Sequence, residues 1–328
     1  MVRLNSEHNA TRKLISIVTI TYNEEDNVRE CYETVRRLFS SELIGYEYEH
    51  IFADNCSIDR TVAILKELAA EDKHVKVILN ARNFGSFRSL FNALLTTNGD
   101  AVLVLLAADL QDPPELIPDF VRKWEEGYQV VYGIRKSREE GIVMLSMRKL
   151  YYRLVDRFAD IHIPPDVGEF QLIDRVVMDA LRKFEDYYPY VRGMIASCGF
   201  RSTGIEYMMR ARKRGFSKNR LFHSIDHAIN GLISFTNIPL RLCMLFGFLI
   251  SGVSVAYAVV SLIITILQMK FALPGIPTLI VALFFFSGIQ LFFIGLLGEY
   301  IGAIHAQVRK RPLVIERERI NFENPPPV

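Results

Sequence analysis

Apolar and polar positions alternate between two periods over the first 200 residues. Leu14 to Thr21 is a β-branched apolar run, and Asn27 to Leu38 then shows the three-to-four spacing of a helix. Tyr48 to Ala53, Val75 to Leu79 and Ala101 to Leu106 read as further strands, separated by helices over Asp59 to Ala70 and Ser86 to Thr97. Strands buried on both faces and spaced by helices predict an α/β domain with a mostly parallel sheet and helices on both sides. Ligands of such sheets bind beyond the carboxyl ends of the strands. The polar clusters at those ends are Tyr22-Asn23-Glu24, Asp54-Asn55, Asn80 to Gly85 and Asp109 to Asp112.

The pattern changes in the last third. Leu242 to Met269 and Phe271 to Gly298 contain no charged residue. A helix needs roughly 20 apolar residues to cross a hydrocarbon core of about 30 Å, so each run is long enough to span. Lys270, Pro274, Gly275 and Pro277 form a short turn between them. Arg210, Arg212, Lys213, Arg214, Lys218, Arg220 and Arg241 precede the first span, and Arg309, Lys310 and Arg311 follow the second. The positive-inside rule places both flanks, and so both termini, in the cytoplasm. Between the basic run and the first span, Leu221, Phe222, Ile225, Ile229, Leu232 and Ile233 recur at helical spacing, which suggests a helix in the membrane interface; an ordinary domain helix would read the same way. The expected division is a cytoplasmic α/β domain over 1–218, an interfacial helix over 219–240, two transmembrane helices over 241–302 and a cytoplasmic tail over 303–328.

Composition adds less. The net charge of +2 is uninformative about partners, and 50% hydrophobic residues are accounted for by the spans. The cysteines Cys31, Cys56, Cys198 and Cys243 form no CxxC pair, which fits a reducing compartment and argues against a zinc site. The polar start, Met1 to Lys13, lacks the apolar core of a signal peptide, and the sequons at Asn9 and Asn55 are read as chance matches. The seven histidines show no metal-ligand spacing.

Asp109-Leu110-Gln111-Asp112-Pro113-Pro114 closes the fourth strand. A carboxylate delivered there suits Mg²⁺ or Mn²⁺ on a diphosphate, since such ions take one or two carboxylates and complete their shell with phosphate and water. A helix cap or turn former would present the same residues. The basic run 210–220 can be a solvated loop, a nucleic-acid patch or an anionic-lipid contact, and its place before a membrane span favours lipid over nucleic acid.

Taken together, Ile17 to Glu25, Ala53 to Thr61, Asn83-Phe84-Gly85 and Ala108 to Leu116 resemble the family 2 glycosyltransferases of the GT-A (Rossmann-like) fold. More narrowly they are similar to the polyprenyl-phosphate branch, typified by dolichol-phosphate mannose synthase, with a two-helix C-terminal anchor; Gln290 to Pro312 resembles that branch too. The resemblance implies that Thr21, Tyr22, Asn23 and Glu24 lie against base and ribose, that Asp54 recognises the nucleobase, and that Asn83 and Arg135 belong to the nucleotide-sugar site. It implies metal ligation by Asp109 and Gln111, catalytic roles for Asp109, Asp112 and Glu169, and lipid-phosphate binding by Arg210, Arg212, Lys213 and Lys218. The implied reaction moves a hexose from a nucleoside-diphosphate sugar, such as UDP-glucose, to polyprenyl phosphate (undecaprenyl phosphate) with inversion. It needs Mg²⁺ or Mn²⁺, and it places the chain in the inner membrane, where a homo-oligomer is compatible with the anchor.

The chain also departs from the family pattern. Ala107 stands at the first aspartate of the usual Asp-Ala-Asp, Thr21 where proline is common, and Asn55-Cys56 where Asp-Gly is frequent. Glu169 and Gln171 occupy the acidic and arginine positions of a Gly-Asp-Phe-Arg-Leu element. A processive polysaccharide synthase would carry more spans and a Gln-x-x-Arg-Trp motif, which Trp124 does not complete. A non-catalytic membrane scaffold keeping the fold is the remaining alternative.

Overall fold

The computed structural model describes residues 12–136, 166–210, 245–250 with scattered positions to 267, 276–309 and 311–323. These fall into two compact units: residues 12–136, 166–210 and 311–323 form one, and the described residues between 245 and 309 the other. The interfacial helix expected over 219–240 and the basic residues Arg212, Lys213 and Lys218 lie outside the described residues.

The first unit is built on one eight-stranded sheet. Its strands are β1 (Leu14–Thr21), β2 (Glu47–Asp54), β3 (Val75–Asn80), β4 (Ala101–Leu103), β5 (Val130–Lys136), β6 (Val167–Asp174), β7 (Ser202–Met208) and β8 (Glu316–Ile320). Their order is β7-β5-β6-β4-β1-β2-β3-β8. The pairs β1–β2, β1–β4, β2–β3 and β5–β7 are parallel, while β6 runs antiparallel to β4 and β5, and β8 antiparallel to β3. The expected GT-A α/β arrangement is present, with β6 inserted antiparallel beside the parallel core.

Helices cover both faces because each presents one apolar stripe. In α1 (Val28–Ser41) the buried positions are Val28, Cys31, Tyr32, Val35, Leu38 and Phe39, the spacing of a single helical face. The next two are α2 (Thr61–Glu71) and α3 (Ser86–Leu95). In α4 (Ile117–Glu125), Ile117, Phe120, Val121 and Trp124 turn inward. Phe120 meets Phe170 of β6 with ring centroids 4.9 Å apart, and both are fully buried. Burying each such ring contributes about 1.5–3 kcal/mol. The short helices α5 (Arg175–Leu181) and α6 (Val191–Ser197) follow β6, and Asp174 caps α5 by accepting from the Val176 amide at 2.9 Å.

Two boundaries differ from the sequence reading. The fourth strand is regular only to Leu103, yet its ladder continues irregularly, with Val104 donating to Gln171 and Leu106 to Val18, each at 2.8 Å. Within the stretch 303–328 expected as a tail, Glu316–Ile320 add β8 to the edge of the sheet. Its Glu-Arg-Glu-Arg-Ile sequence hides this, since charged side chains are what a solvated edge strand tolerates.

The second unit is dominated by α7 (Ile276–Val308), 33 residues long. Its stretch Phe285–Val308 is long and apolar enough to cross a membrane, and none of it is buried. Leu283, Phe285, Leu291, Phe292 and Ile301 stand exposed along it. A groove lined by Gly247, Ile250, Phe286, Ile289, Gln290 and Phe293 shows that residues from the first apolar run lie against this helix.

Candidate functional site

The carboxyl ends of β1, β2 and β3 deliver the polar clusters to one edge and knit them together. Thr21 and Asp54 are register partners at the last step of the β1–β2 ladder. The Thr21 hydroxyl donates to Asp54 at 3.2 Å, which gives a physical role to the hydroxyl standing where proline is common. Asp54 is fully buried and also accepts from the Ser57 amide at 2.9 Å and from the Ser57 hydroxyl. This carboxylate therefore organises the 54–57 turn. Cys56 within that turn takes φ +64°, the left-handed region that glycine adopts freely, and this explains why glycine is frequent at the position.

The β1 loop is locked onto the same turn. The Asn23 amide donates to the Ser57 hydroxyl and its side-chain oxygen accepts from the Ile58 amide, both at 2.8 Å. The Glu24 amide donates to Thr61 at 2.8 Å, and the Glu24 carboxylate accepts from Asn27 at 2.6 Å. Tyr22 is exposed at this edge. From β3, buried Asn80 donates to Asn55 at 3.1 Å and to Ser89 at 3.0 Å. Asn55 in turn accepts from the Phe84 amide at 3.2 Å and donates to the Gly85 carbonyl at 3.1 Å. Asn83 accepts from the Gly85 amide at 2.9 Å, turning the chain into α3 through Gly85 at φ +89°.

A second cluster lies beyond β4. Asp109 is partly buried and accepts from the Gln111 amide at 3.3 Å. Asp112 is buried and accepts from the Tyr207 hydroxyl and from Arg135, whose Nη2 lies 3.2 Å from both carboxylate oxygens. Arg135 also donates to Tyr207 at 2.9 Å. Burial works against a charge at Arg135, but Asp112, Tyr207 and Glu169 around it more than offset that and hold the guanidinium protonated more firmly than usual. Burial, and then the Asp112 charge, push the Tyr207 phenol up. The guanidinium lies across Gly168, where a Cβ would stand 3.0 Å from it, a tight contact that glycine avoids.

Glu169 faces Arg192 at 3.9 Å, and Arg192 also donates to the Val167 carbonyl at 3.0 Å and stacks over Tyr190. Gln171, at the family's arginine position, is buried and donates to the Gly168 carbonyl at 2.7 Å. Arg210 is brought to the Asp109–Asp112 loop: its amide donates to the Gln111 carbonyl at 2.9 Å and its guanidinium pairs with Glu115 at 3.0 Å.

The structure thus gathers Thr21, Tyr22, Asn23, Glu24, Asp54 and Asn83 into one hydrogen-bonded edge, and Asp112, Arg135, Glu169 and Arg210 into linked clusters around the β4 loop. Sequence reasoning did not single out Ser57, Thr61, Tyr207 or Arg192. The spacing Asp54-x-x-Ser57 could have flagged a side-chain-capped turn; nothing local ties Tyr207 to Asp112 across 95 positions.

Among the described residues no group of three or more His, Cys, Asp or Glu could enclose a metal. The donors at the β4 end are the Asp109 carboxylate and the Gln111 amide oxygen, since Asp112 is committed to Arg135 and Tyr207. Hard oxygen donors with one carboxylate fit Mg²⁺ or Mn²⁺ held jointly with a diphosphate, and do not fit a cage made by protein alone.

Comparison with known proteins agrees with this geometry. The model of glycosyl transferase family 2 matches residues 16–182, and that of the GtrB C-terminal hairpin matches residues 238–304. An uncharacterized glycosyltransferase of Bacillus subtilis, YkcC, is 36% identical over 310 residues, covering 94% of this chain and 95% of its own length. The bactoprenol glucosyl transferase of Shigella phage SfX is 33% identical over 308 residues, covering 93% of this chain and 99% of its own. A bactoprenol glucosyl transferase homolog of an Escherichia coli K12 prophage is 32% identical, with 92% and 97% covered. The family model spans half of the chain and these relatives nearly all of it, so the chain belongs to the family 2 glycosyltransferases, with the GtrB-type C-terminal hairpin.

Proposed function

We propose that this enzyme moves a hexose, with glucose from UDP-glucose as the leading case, onto polyprenyl phosphate with inversion at the sugar's anomeric carbon. The observation that carries the reading is the bond between the Arg210 amide and the Gln111 carbonyl. It joins the first residue of the basic run to the loop on which Asp109 and Gln111 stand, so the donor diphosphate and an acceptor phosphate would meet at one place. The relatives named bactoprenol glucosyl transferases support the lipid acceptor and the glucosyl group.

The chemistry follows from the acceptor. A lipid phosphate is already an anion at neutral pH, so no general base has to remove a proton. Its oxygen forms the bond to the anomeric carbon as the bond to the nucleoside diphosphate breaks, and the nucleoside diphosphate leaves with the electron pair. Catalysis then reduces to alignment and to stabilising charge on the departing diphosphate. Arg135, held protonated and fixed by Asp112 and Tyr207, supplies a rigid cation for this. Glu169, oriented by Arg192, is suited to a sugar hydroxyl. Asp109 and Gln111 would hold Mg²⁺ or Mn²⁺, which when bound neutralises diphosphate charge. Tyr22, Asn23 and Glu24 would meet base and ribose, on a loop that Asp54 keeps in shape.

The placement of β8 supports the membrane reading. It shares a sheet with β1 to β4, so any bilayer crossings of the chain between them would be even in number. Two spans, with both flanks in the cytoplasm of the inner membrane, satisfy this and the charge distribution. Exposed apolar side chains along α7 supply the surface that lipid would cover.

Purified protein in detergent, given undecaprenyl phosphate and radiolabelled UDP-glucose, should yield label extractable into organic solvent. Release should stop when the divalent cation is chelated. If UDP binds but no nucleotide hexose gives a labelled lipid, the scaffold reading replaces this one.

A further inference from the structure

The edge of the sheet next to the donor loops is not made by the catalytic domain's own continuous chain. It is made by β8, which joins the sheet only after α7. Val314 is buried there, and Asn321 donates to the carbonyls of Ala69 and Val75 at 2.6 and 2.8 Å. Lys66 pairs with Glu318 at 2.7 Å. These contacts fasten the segment to α2 and β3.

Two other contacts reach the β3–α3 loop and the helix that follows it. The Ala81 amide, first residue of that loop, donates to the Ile315 carbonyl at 2.9 Å. Asn92 of α3 donates to Glu316 at 2.6 Å, and the Glu316 carboxylate is only 1% exposed and paired with Arg319. The β3–β8 register also slips between Leu79 and Asn80: Leu79 faces Glu318, but Asn80 faces Glu316. The extra residue, Arg317, lies on β8 and bends that strand locally. The side chain opposite is Asn80, whose amide carries the bonds to Asn55 and Ser89. Asn55 in turn holds Phe84 and Gly85.

We propose that the post-membrane segment 314–322 is a positioning element of the donor site, with Glu316 as the positioning residue that sets the β3–α3 loop through Asn92 while the Ile315 carbonyl pins the loop's first residue. This rests on reading that edge as the nucleotide site. Occupancy of the site thereby depends on the part of the chain that emerges from the membrane anchor, and a donor loop separated from its anchor would lose its shape.

The test uses the full-length protein in detergent and needs no turnover. Titration with UDP and GDP, without lipid, gives donor affinity, and hydrogen exchange reports residues 81–89. Glu316→Leu should weaken nucleotide binding about tenfold, the scale of one lost charge-assisted hydrogen bond, and speed exchange across the loop. Asn92→Ala removes the same bond from the α3 side without leaving Arg319 unpaired, and should weaken binding in the same direction even if Glu316→Leu folds poorly. Glu316→Gln keeps an acceptor for Asn92 and should bind near the wild-type level. In turnover assays the Michaelis constant for nucleotide-sugar should rise and that for prenyl phosphate should stay put. Unchanged nucleotide affinity in folded Glu316→Leu and Asn92→Ala, or equal losses for donor and acceptor, would overturn the proposal. Wild-type protein binding neither nucleotide would overturn the donor-site reading and this inference with it.

Discussion

Tyr207, the penultimate residue of β7, donates its hydroxyl to the buried carboxylate of Asp112, and both hold the guanidinium of Arg135. Substitutions at Arg135 and at Tyr207 probe two different roles in this arrangement. Arg135→Lys keeps a charge but loses the fork that reaches Asp112 and Tyr207 together. We expect its turnover to fall at least tenfold, about 1.4 kcal/mol in barrier. Tyr207→Phe leaves Arg135 on Asp112 and should cost about 1–3 kcal/mol of stability with a smaller loss of turnover. Single-turnover kinetics and denaturant melts on both variants separate the two effects. A lysine variant at wild-type rate would remove Arg135 from the chemistry.

Asp109→Ala should abolish transfer with little change in melting temperature, since the carboxylate is partly exposed and accepts from the Gln111 amide two residues on in its own loop. Residual activity above about a tenth, a barrier change under roughly 1.4 kcal/mol, would show that Asp109 does not hold the metal. Lipid-linked label measured over a range of Mn²⁺ concentrations checks this.

How much of this was legible in the sequence depends on the range of the interaction that decides each feature. The β1 to β4 frame was readable because Ile15, Ile17, Phe52, Val77 and Val102 are buried on a parallel sheet, where apolar runs report burial directly. Asn23 and Asp54 were legible as polar residues at strand ends, whereas Thr21 and the nucleotide roles of all three came only from the family resemblance. Their bonding was not readable, since Asn23 meets Ser57 and Ile58 from another loop. Strand β8 was missed for a physical reason: Arg317, Glu318 and Arg319 carry no apolar alternation, and what holds them is pairing with β3. The Asp112–Arg135–Tyr207 cluster joins three separate elements, so no window of the sequence contains it.

Cys56 offers a check on backbone strain. At φ +64° a non-glycine residue costs about 1 kcal/mol, partly offset by the extra freedom glycine has when unfolded. Cys56→Gly should therefore leave stability unchanged or raise it by up to about 1 kcal/mol, with nucleotide affinity preserved. A chemical-denaturation midpoint clearly below wild type would mean that the Cys56 side chain, and not the turn, matters at this position.

His50 predicts a pH dependence. It is fully buried on β2, lies tilted against Phe52 with centroids 4.0 Å apart, and meets the Thr19 hydroxyl at 2.9 Å. Burial, opposed only by Asp72, lowers its pKa from 6.5 to about 3. In the window between those values the unfolded chain binds a proton that the folded one refuses. Stability should be full above pH 6.5 and fall as the pH drops below it, by up to about 1.4 kcal/mol per pH unit from this residue. His50→Gln keeps a partner for Thr19 and removes the titration. The difference between wild-type and variant melting temperatures should shift steadily between pH 7 and pH 5; a constant difference would show that His50 is charged in the folded protein.

The last prediction concerns the acceptor. Arg210, the first residue of the basic run, is anchored beside Gln111 and Glu115. If Arg212 and Lys213 hold the lipid phosphate, replacing both with alanine should raise the Michaelis constant for prenyl phosphate or lower turnover with it. A charge-assisted hydrogen bond to phosphate is worth about 1.5–3 kcal/mol, or roughly one to two decades in rate for each one lost. UDP affinity, measured by titration without lipid, should hardly move. A solvated loop would tolerate both changes within experimental scatter. A diphosphate-binding role would weaken UDP instead, and either result would move the acceptor phosphate away from this run.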